Sequence, residues 1–360
     1  MPVMEFPDAL KNINKILVVG PAWIGDMMMA QSCFKILKLR NPQVQIDVLA
    51  SGWTRLLLAH MPEVNLVLEM PLGHGVLDLK ARYRLGRSLA DKGYQQAILL
   101  PNSLKSAFIP FFAKIPLRTG WRGEMRYGLL NDLRVLDKQR YPLMVQRYMA
   151  LAFSADAELP KDFPYPELNV EKATRVDLLA KFSLDLHRPL LVICPGAEYG
   201  PSKRWPEQYY ARVATEKIRA GWQVWFMGSV KDQEVVESIR KQLPEAQHDY
   251  AHSLAGVTNL GEAIELMDCA DAVISNDSGL MHIAAALQKP LVVIYGSTSP
   301  AFTPPLAKSV AIVSIHLECS PCFERECPRL HHNCMQELMP AQVLDAMEKL
   351  LAKTITVGEA

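Results

Sequence analysis

What most constrains this chain is a series of short, β-branched apolar runs, each followed by loop residues and then by a helical pattern. Lys15 to Gly20 (KILVVG) opens the series and leads into a helical stretch from Asp26 to Leu39. Gln45 to Ala50 (QIDVLA), Asn65 to Glu69 (NLVLE) and Gln96 to Pro101 (QAILLP) continue it. Runs that are apolar throughout suit strands covered on both faces, and strand–helix alternation is the pattern of a parallel sheet. A second series begins at Leu190 to Pro195 (LLVICP). It runs on through Trp222 to Gly228 (WQVWFMG), Ala272 to Asn276 (AVISN), Leu291 to Gly296 (LVVIYG) and Val310 to Ile315 (VAIVSI). The expected fold class is therefore α/β, with two doubly wound, Rossmann-like domains. Between the two series, LPKDFPYPEL carries three prolines within seven residues and disfavours regular structure. The expected plan is a first domain over residues 1–160, a linker over 161–189, a second domain over 190–339 and a closing helix over 340–360. Pro340 suits the start of that helix, which is expected to pack back on the first domain. Two such domains would place the carboxyl ends of their sheets on either side of a cleft, where open α/β sheets take ligands.

Composition narrows the class. A chain of 360 residues with 49% hydrophobic and 21% charged residues buries sizeable cores, which excludes disorder as its main state. The N-terminal MPVMEF meets Glu5 and then Asp8 before any apolar run, unlike a secretory signal, and residues 290–307 carry Pro300, Pro304 and Pro305, unlike a spanning helix. An intracellular protein is expected, and its seven cysteines, an odd number, are expected as reduced thiols. Gly-x-Gly-x-x-Gly follows neither first strand; the nearest approach is Gly196 to Gly200. A standard dinucleotide dehydrogenase loses its main support, and a nucleotide bound in another way stays open.

The formal net charge of +1 conceals two unlike regions. Lys80 to Arg147 holds 14 Lys or Arg against 4 Asp or Glu, whereas the rest holds 25 against 34. Such a block captures an anionic partner, although basic residues also decorate solvated helix faces. Lys105 lies in it, and so do Arg118, Arg122 and Arg126. The fourfold spacing of these arginines in LRTGWRGEMRYG fits either one helical face or, given Gly120 and Gly123, a loop.

Five segments carry candidate chemistry. In PAWIGDMMMAQ, Asp26 at a helix start is either a cap or a general base, and Met27, Met28 and Met29 read as core packing. In SNDSGLMHIAAAL, Ser278 and Gly279 at a helix N-terminus expose backbone N–H groups to a phosphate. Beside them Asp277 either caps the helix or holds sugar hydroxyls, and His282 is either a local hydrogen-bonding residue or a phosphate contact and proton donor. In PGAEYGPSKRWP, Lys203 and Arg204 offer cations to a leaving diphosphate, and Trp205 reads as packing. In FMGSVKDQE, Gly228 and Ser229 leave the strand, and Asp232 or Glu234 either accepts ribose hydroxyls or caps the next helix. In HLECSPCFERECPRLHHNCM, Cys319, Cys322, Cys327 and Cys334 are spaced C-x2-C-x4-C-x6-C with His331 and His332 nearby. That set fits a structural zinc or iron–sulfur site, free thiols or disulfides.

Taken together, IGDMMMAQ, PLGHGVLDL, LRTGWRGEMRYGLLND, PGAEYGPSKRWP, NDSGLMHIAAAL and the downstream YGSTSPAFTPP resemble the ADP-heptose:lipopolysaccharide heptosyltransferases over nearly the whole chain, nearest the family's second type. The resemblance implies a GT-B fold with the acceptor on the N-terminal domain and ADP-heptose on the C-terminal one. It also implies inversion by a single displacement without an obligatory metal. The implied acceptor is heptosyl-Kdo2-lipid A, met at the cytoplasmic face of the inner membrane by a cytoplasmic, peripherally associated enzyme with no nucleic-acid partner. Carried over by residue, Asp26 becomes the base and Lys203 the diphosphate cation, with Asp277, Ser278, Gly279, Leu280 and His282, joined by Gly228 and Ser229, on the donor. Lys105, Arg118, Arg122 and Arg126 fall to the acceptor. Glu198, Tyr199 and Gly200 stand ahead of Lys203 where some relatives carry hydroxyl residues, so individual phosphate contacts stay unassigned there. The rival readings are a first- or third-type heptosyltransferase, a sugar-nucleotide epimerase, and a non-catalytic lipopolysaccharide-binding scaffold in which Asp26 only caps.

Overall fold

The computed structural model describes residues 12–73 and 75–358, with side chains through residue 353. The N-terminal acids behind the export argument, His74 of PLGHGVLDL and the last two residues of the closing helix lie outside the described residues. The chain divides between Pro166 and Glu167 into two units.

The first unit runs β1 (Lys15–Val19), α1 (Ile24–Arg40), β2 (Gln45–Ala50), α2 (Arg55–Leu58), β3 (Leu66–Glu69), α3 (Leu79–Leu89), β4 (Gln96–Leu99), α4 (Leu104–Phe112), β5 (Leu117–Trp121), β6 (Asp132–Arg134) and α5 (Met144–Met149). Its six strands pair in the order β3-β2-β1-β4-β5-β6, all parallel, with Ile16 in register with Ile46 on one side and Gln96 on the other. Because β1 and β4 lie inside the sheet under helices on both faces, their apolar residues are fully buried. Met27, Met28 and Met29 of α1 are buried too, as core packing requires.

The second unit runs α6 (Lys172–Lys181), β7 (Leu190–Cys194), α7 (Glu207–Arg219), β8 (Gln223–Phe226), α8 (Gln233–Lys241), β9 (Ala251–Ser253), α9 (Leu260–Met267), β10 (Ala272–Asn276), α10 (Gly279–Ala286), β11 (Leu291–Ile294), β12 (Val310–Val313), α11 (Asn333–Gln336) and α12 (Pro340–Gly358). The order β12-β11-β10-β7-β8-β9 repeats the first sheet's topology, again all parallel. Two doubly wound, Rossmann-like units of the GT-B kind result.

One expectation changes and two placements become clear. Residues 167–189 are not a free linker: α6 lies among them, and Arg175 pairs with Asp268 while Lys181 pairs with Glu262, tying the segment to the second unit. The closing helix finds its apolar partner in its own unit. Val343, Met347 and Leu350, spaced along one stripe of α12, join the core under β11 and β12 beside α7. At about 1.5–3 kcal/mol for each buried apolar side chain, that stripe fixes the helix. Finally, of the two readings open for the arginine segment the loop holds: Leu117 to Trp121 is strand and the rest is loop, so Arg118, Arg122 and Arg126 do not share a helical face.

Candidate functional site

In each sheet the strand order reverses between the first and fourth strands, and ligands of open α/β sheets bind beyond the carboxyl ends at such a point. The sequence candidates gather there. In the second unit the loop after β7 carries Lys203 and the residues after β10 are Asp277 and Ser278. Lys203 Nζ donates to Asp277 Oδ2 at 2.7 Å and to the Asp277 carbonyl at 3.3 Å. Thr298, from the loop after β11, donates its hydroxyl to the same Oδ2 at 2.6 Å. Asp277 is thus an orienting carboxylate for the lysine, and α10 is begun by Ser278 at the N-cap. Ser278, Gly279 and Leu280 are half-buried and carry the first N–H groups of α10, which have no partner within the helix. A lysine with one free donor direction beside a helix N-terminus is a site for a diphosphate.

His282, one turn further on, is 6% exposed. Burial pushes its imidazole down to about 4; the Asp277 carboxylate opposes the shift and the Lys203 charge adds to it. In the chain without ligand it is therefore uncharged at neutral pH, able to donate or accept a hydrogen bond. In the next loop Asp232 serves Ser229: its Oδ2 accepts from the Ser229 N–H and hydroxyl, each at 2.8 Å. The acid caps, and Gly196 and Gly228 leave it room, since a Cβ on either would stand within 3 Å of its side chain. Trp205 packs as expected, its indole N–H on the Leu338 carbonyl at 2.8 Å. Asn276, unassigned from sequence, ties this region together by donating to the Pro195 carbonyl at 2.7 Å and accepting from Tyr210 at 2.7 Å.

In the first unit Asp26 lies in the first turn of α1, three residues beyond the N-cap Trp23, so it is not the capping residue. Its carboxylate accepts a hydrogen bond from Tyr148; burial first, then the Asp26 charge and this bond, hold the Tyr148 phenol well above its ordinary value. Tyr148 arrives from α5, which packs on α1. No signal in the sequence pointed to it.

The basic block divides. Arg126 is 1% exposed, and its guanidinium donates to the carbonyls of Pro101 and Trp121, to Ser106 Oγ and to Asn102 Oδ1. Arg118 spends its guanidinium on the carbonyls of Leu129 and Ile115. These two arginines build the loop, and Arg126 in particular is closed to an acceptor, contrary to expectation. Arg122 is exposed and Lys105, in the first turn of α4, is half-buried. The loop is docked on that same helix end: Glu124 Oε2 accepts from the Leu104 N–H at 2.7 Å, and Gly123 lies where a Cβ would stand 2.2 Å from the Asn102 carbonyl.

With this geometry in hand, comparison with known proteins is decisive. The profile of Glycosyltransferase family 9 (heptosyltransferase) matches residues 82–332. The chain belongs to this family. Among its relatives, the lipopolysaccharide heptosyltransferase 2 of Salmonella typhimurium is 48% identical, over 94% of this chain and 99% of that protein. The Escherichia coli enzyme of the same name is 47% identical over 94% and 98%. The solved structure of the E. coli ADP-heptose lps heptosyltransferase II superposes with a TM-score of 0.86 at 45% identity, covering 94% of this chain and 99% of that one. As a family member the chain is a glycosyltransferase. Among the described residues no helix is long and apolar enough to cross a membrane.

Proposed function

We propose that the chain is an inverting heptosyltransferase that moves L-glycero-D-manno-heptose from ADP-heptose to the first heptose of heptosyl-Kdo2-lipid A, working in the cytoplasm in peripheral contact with the inner membrane. The observation that carries this reading is the Lys203–Asp277 pair, 2.7 Å apart at the first turn of α10, a place suited to a diphosphate. The near full-length likeness to lipopolysaccharide heptosyltransferases 2 supplies the sugar. The donor's diphosphate lies against the N–H groups of Ser278, Gly279 and Leu280, with Lys203 on its charge, His282 beneath, and Gly228 and Ser229 bordering the nucleoside. The acceptor is drawn by Lys105 and Arg122.

In the reaction an acceptor hydroxyl oxygen attacks the anomeric carbon from the side opposite ADP while its proton passes to Asp26. One C–O bond forms and one breaks, the electron pair of the broken bond leaves with ADP, and configuration inverts. Lys203 and the end of α10 stabilise the charge that grows on the leaving phosphate. Assay against Kdo2-lipid A and its one-heptose and two-heptose forms tests the reading. Transfer to the one-heptose form alone is expected. Transfer to Kdo2-lipid A or to the two-heptose form instead assigns a first- or third-type enzyme, donor consumption without acceptor assigns an epimerase, and acceptor binding without product assigns a scaffold.

A further inference from the structure

The four clustered cysteines take no part in that reaction, yet they come together in the second unit. Cys319, Cys322, Cys327 and Cys334, with His331 and His332, line one small cavity that Ser202 and Ser297 also border. It encloses about 20 Å³, room for a single ion or water. The Cys327 sulfur accepts from the backbone N–H of His332 at 3.4 Å. A backbone N–H turned toward a sulfur is a common surrounding of a metal-bound thiolate. Cys334 stands within electrostatic reach of the other three thiols. All seven cysteines are free, and the remaining three, Cys33, Cys194 and Cys269, take no part in this cavity.

We propose that Cys319, Cys322, Cys327 and Cys334 bind one thiolate-preferring metal ion, zinc or ferrous iron, in a tetrahedral S4 site that fastens the 319–334 loop onto the loop bearing Lys203. Four thiolates are the complete ligand set of such an ion. Among the described residues no three His, Cys, Asp or Glu side chains already stand as a ligand set, so the site as proposed closes only when the ion binds. The fastening is visible in the contacts. Ser202, the neighbour of Lys203, donates its N–H to the Arg325 carbonyl at 3.1 Å and its hydroxyl to the Glu324 carbonyl at 2.5 Å, and its own carbonyl meets His332 Nε2 at 2.9 Å. Phe323 N–H reaches the Ser297 carbonyl at 2.7 Å, and the Tyr199 hydroxyl reaches the Phe323 carbonyl. Lys203 in turn lies over the Tyr199 ring, 4.9 Å from its centroid. Gly200 has no space for a side chain, since a Cβ would stand 2.4 Å from the Arg325 carbonyl.

Full-length chain purified anaerobically without an affinity tag is analysed for zinc and iron by mass spectrometry. One equivalent per chain of either metal is expected, and the measurement itself tells which. Cys322→Ser with Cys327→Ser should drop the content at least tenfold, whereas Cys269→Ser keeps it. Metal-free wild type with the four thiols freely titratable overturns the proposal, as does full metal retention in the double variant. A second arm, which rests on the donor reading above, measures ADP binding. Chelator-stripped protein should bind ADP about tenfold more weakly, an ordinary coupling between two sites, with recovery on adding zinc chloride or ferrous salt alone. Unchanged affinity removes the link to Lys203. Failure of ADP to bind in any form refutes the donor assignment and leaves the metal content to decide the site.

Discussion

Asp26 and His282 show how placement selects a role from residue types that permit several. Asp26 sits at the positive end of α1 but within its first turn, with Tyr148 donating to its carboxylate. Asn keeps the shape and still accepts from Tyr148, so Asp26→Asn should leave the melting temperature and ADP binding unchanged while lowering turnover by at least ~100-fold, the low end for loss of a general base. An unchanged kcat would remove Asp26 from the chemistry. His282 carries a different consequence. Its folded value of about 4 lies below the ordinary 6.5. Between these two values the unfolded chain binds a proton that the folded chain refuses, so stability is full above pH 6.5 and falls as pH drops toward 4. At about 1.36 kcal/mol for each unit, the loss amounts to roughly 3 kcal/mol. A neutral His282→Gln variant should lose stability less steeply than wild type over this interval, which denaturant titration at a series of pH values reads directly; parallel curves would mean the imidazole is solvated.

At the scale of elements, most strands legible in the sequence were those buried on both faces, since parallel strands inside a sheet are continuous apolar runs such as LLVIC and AVISN; the edge strands β3 and β12 were legible from apolar runs of their own although they are only partly buried. Three strands were not legible. β6 (DLR) and β9 (AHS) are three residues long and lie at sheet edges, and β5 (LRTGW) mixes polar and small residues, so none has a run to detect. The arginine segment shows the same limit, because a spacing of four fits a helical face as well as a loop and could not tell that the chain there passes from strand to loop. The proposed donor side was more legible: Lys203, Asp277 and Ser278 lie in the segments that follow two buried strands, β7 and β10, whereas Thr298 and Tyr148 come from packing between elements and left no local mark. The division of the basic block gives a paired prediction. Arg126→Gln leaves buried carbonyls of Pro101 and Trp121 without donors, at about 1–3 kcal/mol each, and should lower the melting temperature markedly. Arg122→Gln, at an exposed position, should change stability by less than about 0.5 kcal/mol and raise the acceptor KM. The reverse pattern, a stable Arg126→Gln with only its acceptor KM raised, would restore Arg126 to the acceptor site.

For the whole molecule the relevant quantity is the sorting of charge between the two units. Residues 1–166 hold 21 Lys or Arg and 14 Asp or Glu, a net of +7, while residues 167–360 hold 18 and 24, a net of −6. A unit of net negative charge takes a diphosphate only through local devices, and Lys203 with the N-terminus of α10 is such a device, short in range. On the proposed reading the first unit presents a broad positive field to an acceptor bearing carboxylates and phosphates, and a field of that kind acts mainly on capture. Its reach ends near the Debye length, about 10 Å at 0.1 M salt and about 3 Å at 1 M. Raising the ionic strength across this range should therefore lower kcat/KM for acceptor by roughly tenfold or more while kcat at saturating acceptor stays level. ADP affinity should fall much less, since Lys203, its proposed diphosphate contact, is largely buried beside Asp277. The doubly substituted Lys105→Gln, Arg122→Gln chain should begin lower and show a flatter salt dependence, because the charges that salt screens are already gone. Equal slopes for wild type and the double variant would place the capture of acceptor elsewhere on the first unit, and a parallel loss of ADP affinity would mean that the two substrates draw on one field.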